Sequence, residues 1–62
     1  MTFKIRYYSI VEWRNVKSGR QFRAEVPNAT FERFWNALCD KRDSHDVTIV
    51  RCAHTHDYVK VG

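Results

Sequence analysis

The sequence predicts a small α+β domain, in which an antiparallel sheet of three or four strands carries one helix on one face, in the order ββαβ(β). Three observations predict this: apolar residues alternate in the first third, aromatic residues recur at helical spacing in the middle, and a β-branched run follows. A chain of 62 residues has room for one core. Residues 1–62 are therefore expected to form a single domain.

The first half of the chain predicts a β-hairpin. From Phe3 to Trp13 the character of the side chains alternates with the period of a half-buried strand. One face holds Phe3, Ile5, Tyr7, Val11 and Trp13, and the other holds Lys4, Arg6, Tyr8, Ile10 and Glu12. Residues 15–19 interrupt the alternation, and Gly19 can adopt the positive φ that hairpin connections often need. Alternation resumes from Gln21 to Val26, so a second strand can pair antiparallel with the first.

The second half predicts a helix and a further strand. Pro27 ends the second strand, and Asn28 and Thr30 offer side chains that can cap a helix start. Four large apolar residues at positions i, i+3, i+4 and i+7 then form one helical stripe: Phe31, Phe34, Trp35 and Leu38. After an exit loop over 43–46, a β-branched run predicts a third strand paired with the first. Residues 58–61 either form a short fourth strand or continue the third.

The basic residues of the first half define a candidate binding surface. The chain has a net charge of +4, and all the excess lies within the first 26 residues. If the helix covers one sheet face, the other face and the turn beside it expose these cations around two apolar side chains. The predicted partner-binding residues are Lys4, Arg6, Tyr8, Ile10, Arg14, Lys17, Arg20 and Arg23. The alternative is a solvated face whose arginines only prevent edge-to-edge aggregation.

The sequence favours neither a metal site nor a catalytic site. Cys52, His54 and His56 alternate along the third strand, and Cys39 or His45 could complete a zinc site. The Cys-x-His-x-His run lacks the usual ligand spacing of zinc fingers, so we expect no metal or other cofactor and two reduced thiols at the core or its boundary. Nucleophile-elbow, phosphate-loop and metalloprotease patterns are missing from the sequence. We therefore expect a protein that is not an enzyme and has no small-molecule substrate.

The layout of the chain resembles that of known small proteins. The residues that carry the resemblance are Gln21–Pro27, the helix from Phe31 to Leu38 and the strand from Val47 to Cys52. Their order resembles small phage-encoded ββαβ inhibitors of host enzymes, such as the T7-like phage inhibitor of bacterial RNA polymerase and some anti-CRISPR proteins. The resemblance spans most of the chain but contains no diagnostic motif, so no functional residue is carried over. It implies a non-enzymatic protein that occludes a host machine with a charged sheet face or strand edge.

These observations predict an interaction protein whose basic hairpin binds an acidic surface of a larger protein, such as a bacterial enzyme that handles nucleic acid. The first alternative is direct, largely sequence-independent binding of DNA or RNA, with Tyr8 stacking on a base. The second is a structural subunit that self-associates through unpaired strand edges. The apolar runs are too short for a membrane span, and the charged start does not fit a signal peptide. The expected location is the cytoplasm, that of the host cell if the protein is phage-encoded.

Overall fold

A three-stranded antiparallel sheet and one helix make up the protein, as the sequence predicts. The computed structural model describes residues 2–61. The elements are β1 (Thr2–Asn15), β2 (Gln21–Pro27), α1 (Asn28–Asp43) and β3 (Val47–Val61). The strand order is β2-β1-β3, which confirms that the third strand pairs with the first. Because β3 runs without interruption to Val61, residues 58–61 continue the third strand and do not form a fourth.

Hydrogen bonds hold the two connections together at one end of the molecule. The Asn15 side chain accepts hydrogen bonds from the backbone N–H groups of Lys17 and Ser18, at 3.0 and 2.9 Å. Gly19 has a φ of 74°, as the turn prediction requires. The backbone N–H of Val16 donates to the carbonyl oxygen of Asp46, at 2.9 Å. The β1–β2 turn is therefore tied directly to the loop that follows α1.

The helix starts without the predicted side-chain caps. Pro27 is the residue before the first helical residue, and no side chain accepts a hydrogen bond from the free N–H groups of the first turn. The Thr30 hydroxyl instead donates to the Pro27 carbonyl oxygen, at 3.3 Å. At the other end, Lys41 and Arg42 lie in the last turn, where positive charge interacts favourably with the helix dipole.

All four elements contribute to the core. Its buried side chains are Val11, Val26, Leu38 and Val47. The remaining members of the predicted helical stripe are half-buried and pack against it, as do Trp13, Ala24 and Ile49. The stripe prediction is therefore confirmed, and the ring of Trp13 packs edge-on against that of Phe34, with centroids 5.6 Å apart.

The sheet extends beyond its helix as a two-stranded ribbon. Strand β2 ends with Pro27 opposite Tyr8, so residues 2–7 of β1 pair only with residues 56–61 of β3. We call these two segments the ribbon. Helix α1 begins immediately after Pro27 and runs back over the three-stranded half, which leaves the molecule 48 Å long and only 19 by 15 Å across. The predicted inner-face residues Phe3, Ile5 and Tyr7 are consequently exposed, because no helix lies above them.

Candidate interaction surface

The face of the sheet opposite α1, here called the open face, carries most of the predicted binding residues. Directly opposed residues of an antiparallel pair point to the same side, so the strand register identifies the members of each face. Arg23 is opposite Glu12, which places it with the even-numbered residues of β1. Six of the eight predicted residues therefore share the open face: Lys4, Arg6, Tyr8, Ile10, Arg14 and Arg23.

The other two predicted residues, Lys17 and Arg20, lie in the β1–β2 turn at the end of the open face. Both side chains are exposed. Lys17 also lines an open cleft of about 560 Å³ on the helix side of the sheet, together with Lys41 from the last turn of α1 and the acidic residue Asp46. Trp13 and Phe22 line the same cleft, with their rings stacked and their centroids 5.7 Å apart. The turn thus adds positive charge at the end of the open face, whereas the accessible aromatic surface beside it lies on the helix side of the sheet.

The apolar centre of the open face is less exposed than the sequence predicts. Tyr8 and Ile10 are half-buried because they lie on the central strand, with neighbours on both sides. Pro27 and Thr55 flank Tyr8, and the guanidinium of Arg6 lies over its ring, 4.6 Å from the centroid. The expectation that Tyr8 and Ile10 are exposed among the cations is therefore met only in part, because both side chains are half-buried.

Arg6 is engaged within the chain by the carboxylate directly opposite it. Its Nε donates to Oδ1 of Asp57 at 3.0 Å, and its Nη2 donates to Oδ2 at 2.6 Å. These hydrogen bonds raise the pKa of Arg6 above its ordinary value, with a further contribution from the charge of Asp57. A partner can use this guanidinium only by sharing it with Asp57 or by displacing that carboxylate.

A further arginine, Arg51, joins the open face because of a β-bulge. Trp13 pairs with Ile49 whereas Glu12 pairs with Arg51, so Val50 is an extra residue in β3. In a regular strand Arg51 would lie on the same side as Ile49, facing the helix. The bulge places it across from Glu12 instead. The period-2 pattern of β3 contains no signal for this shift, and sequence reasoning missed the residue.

The same bulge turns the metal-site candidates toward the helix side. Cys52, His54 and His56 pair with Val11, Ser9 and Tyr7, respectively. His54 lies 2.6 Å from the Ser9 hydroxyl through Nδ1 and packs against Phe31, whereas His56 contacts Tyr7 and Tyr58. Within residues 2–61, no three His, Cys, Asp or Glu side chains are grouped so as to hold a metal ion. The cysteines are not disulfide-bonded; Cys39 is half-buried as expected, but Cys52 is exposed.

Comparisons with protein-family models, curated proteins and solved structures give no match for this chain. The resemblance to phage inhibitors thus stays a prediction. In the part of the chain that the structure describes, no helix is both long and apolar enough to cross a membrane.

Proposed function

We propose that the protein is a non-enzymatic interaction module whose open face and adjoining turn bind an acidic surface of a larger protein. One observation supports this most strongly: Arg14, Arg23 and Arg51 lie on one face, and none of them forms an ion pair with a carboxylate of residues 2–61. Among residues 2–61, the ion pairs within 4.0 Å are Arg6–Asp57 and Arg42–Asp43. The three guanidinium groups are therefore available for forked hydrogen bonds to a partner's carboxylates.

The spacing of these arginines suits a cluster of carboxylates. Arg23 and Arg51 lie in one row on either side of Glu12, so their Cα atoms are about 10 Å apart, twice the distance between neighbouring strands. Arg14 is two residues along β1 from that row, a rise of roughly 7 Å. Two or three acidic side chains on one turn or one helix face of a partner match this footprint. Tyr8 and Ile10 add apolar contact beside it.

The carboxylates of the open face favour a protein partner over a nucleic acid. Glu12 and Glu25 lie on this face beside the arginines, and Asp57 lies there paired with Arg6. A phosphate backbone presents negative charge at every nucleotide, so these carboxylates would repel it. A protein surface can present acidic and basic groups in a complementary pattern. On the basis of the layout resemblance, we also propose that the partner is a bacterial enzyme that handles nucleic acid and that binding takes place in the cytoplasm of a host cell.

A charge-reversal experiment tests the assignment of the surface. The partner is first captured from bacterial lysate with the wild-type protein, identified by mass spectrometry and purified for titration. We expect the double variant Arg23→Glu and Arg51→Glu to weaken that binding by roughly 100-fold or more, because both changes set like charges against the partner's carboxylates. Circular dichroism should show an unchanged fold, since both side chains are exposed.

The matched control reverses two cations that lie away from the open face. The variant Arg33→Glu with Lys60→Glu has the same net charge, but Arg33 is on α1 and Lys60 is on the helix side of β3. It should bind within a few-fold of the wild type. Equal losses in both double variants would mean that net charge alone drives binding, which contradicts the proposed surface. Tight binding of an oligonucleotide at low salt, lost in the open-face variant, would support the nucleic-acid alternative instead.

A further inference from the structure

A second surface, on the helix side of the ribbon, exposes large apolar side chains. The exposed fractions are 57% for Phe3, 42% for Ile5, 58% for Tyr7 and 65% for Tyr58. Ile5 is directly opposite Tyr58, and the ring of His56 has its centroid 6.0 Å from those of both Tyr7 and Tyr58. The five side chains thus form one continuous surface across both strands. We call it the aromatic patch.

The aromatic patch differs from the open face in its charge. Lys60, opposite Phe3, is the one charged side chain that the described ribbon places on this side. Asp57 points to the other side, where it pairs with Arg6. A two-stranded ribbon with both faces in water is only marginally stable, and a covering layer stabilises it. Apolar area without carboxylates or ion pairs is the character of a surface that packs against another apolar surface.

We propose that the aromatic patch is the interface of a homodimer, in which the ribbons of two copies stack face to face about a twofold axis. Such an interface uses the same patch twice, so the patch must complement itself. An apolar patch meets this condition, whereas the cation-rich open face would repel its own copy. Helix diameter and the spacing between stacked sheets are both about 10 Å. A second ribbon therefore fits in the same layer as α1, beyond the helix start at Asn28.

The available area reaches the lower limit for a weak dimer when nearly all of it is buried. At the exposed fractions given above, Phe3, Ile5, Tyr7 and Tyr58 together present roughly 450 Å² per copy. Two copies, with the His56 rings and the Lys60 methylene groups, reach about 1,000 Å², the lower limit for a specific interface. The free edge of β1 in the ribbon is a poorer route, because Lys4 and Arg6 lie on that segment and edge cations oppose pairing between copies.

Analytical ultracentrifugation of the wild type and of two variants with substitutions at neighbouring residues tests the dimer. Tyr58→Lys places a charge in the aromatic patch, and Val59→Lys places the same charge on the open face of the same ribbon, at a residue that is 40% exposed. We expect the wild type and Val59→Lys to dimerise as concentration rises, with Tyr58→Lys weakening the dimer by roughly 100-fold, because twofold symmetry doubles each change. Circular dichroism should show the same fold in all three proteins.

Salt dependence gives the second arm of the test. Each copy carries a net charge of +4, so added salt should strengthen the dimer by screening the repulsion between copies. A wild type that stays monomeric across the concentration range, or a dimer that survives Tyr58→Lys, overturns the proposal. Oligonucleotide binding that Tyr58→Lys abolishes and salt weakens also overturns it, because the patch would then be a base-stacking surface.

The dimer and the acidic protein partner can be tested independently. The aromatic patch and the open face lie on opposite sides of the sheet, so Arg23→Glu with Arg51→Glu should leave dimerisation intact. Conversely, Tyr58→Lys should leave the affinity for the acidic partner within a few-fold of the wild type.

Discussion

The three-stranded half of the sheet and the ribbon are built from the same two long strands but differ in burial. On the helix side of β1, Val11 is fully buried and Trp13 packs against the core, whereas Phe3 and Tyr7 are more than half exposed. All four occupy alternate positions of one strand. The period-2 pattern therefore identifies which residues share a face, and burial depends on whether another element reaches that face.

Element lengths explain where burial stops. A 16-residue helix rises about 1.5 Å per residue and spans roughly 24 Å, whereas the 14 residues of β1 span about 47 Å at 3.4 Å per residue. One helix of this length can cover only half of such a strand. The helix starts beside the end of β2, so the half that it covers is the three-stranded one. The ribbon must rely on cross-strand pairs or on a second molecule.

The largest expected effect comes from truncating one apolar side chain in the covered half. Leu38 is 5% exposed and packs against Val11, Val26 and Val47. Leu38→Ala should lower the free energy of unfolding by about 2–5 kcal/mol, through lost burial and the cavity left behind. A domain of this size has only about 3–5 kcal/mol in total, so far-UV circular dichroism should show substantial unfolding without denaturant.

Ile5→Ala is the matched truncation in the ribbon. Ile5 already has 42% of its surface exposed, so this variant should lose less than about 1 kcal/mol of unfolding free energy. The measurement is urea denaturation of dilute protein, in which the proposed dimer is dissociated. Similar losses of unfolding free energy in Leu38→Ala and Ile5→Ala would show that the two halves are equally well packed, which contradicts the difference in burial between them.

At the junction of the two halves we expect an effect well below that of Leu38→Ala. Ser9 is 2% exposed, and its hydroxyl lies 2.6 Å from Nδ1 of His54, which packs against Phe31 at the helix start. Ser9→Ala should cost about 1 kcal/mol of unfolding free energy, the usual contribution of one hydrogen bond. Ser18→Ala is the control, since Ser18 accepts a longer bond of 3.2 Å in the exposed turn. A larger loss of unfolding free energy in Ser18→Ala than in Ser9→Ala would contradict the role given to the contact between Ser9 and His54.

The parts of the fold that sequence predicts correctly depend on local periodicity. The helical stripe from Phe31 to Leu38 and the alternation in β1 and β2 each specify an element from within a few residues. The pairing of β3 with β1 follows from placing the helix over a sheet. The exposure of Phe3 and Tyr7 can also be predicted from the sequence, because the predicted helix is much shorter than the predicted strand and cannot cover all of it.

The candidate site is predicted only in part, because charges and register depend on contacts across strands. Six of the predicted residues, four cations together with Tyr8 and Ile10, lie on the open face. Their shared face follows from the alternation of side chains along β1 and β2. The Arg6–Asp57 pair and the presence of Arg51 depend on the register of β3, which the bulge at Val50 shifts by one residue. A single inserted residue exchanges the two faces of a strand and leaves no mark in composition.

The smallest effect is expected from the ion pair of the ribbon. Arg6 and Asp57 are 54% and 40% exposed, so water and salt screen their attraction, and ordering the two side chains offsets part of it. In a double-mutant cycle of Arg6→Gln and Asp57→Asn, the coupling should be smaller than the loss from Ser9→Ala, and it should decrease further in high salt. A coupling that exceeds the Ser9 effect and resists salt would mean that the ribbon is held by its own cross-strand contacts. The ribbon would then have less need of the second copy that we propose to cover it.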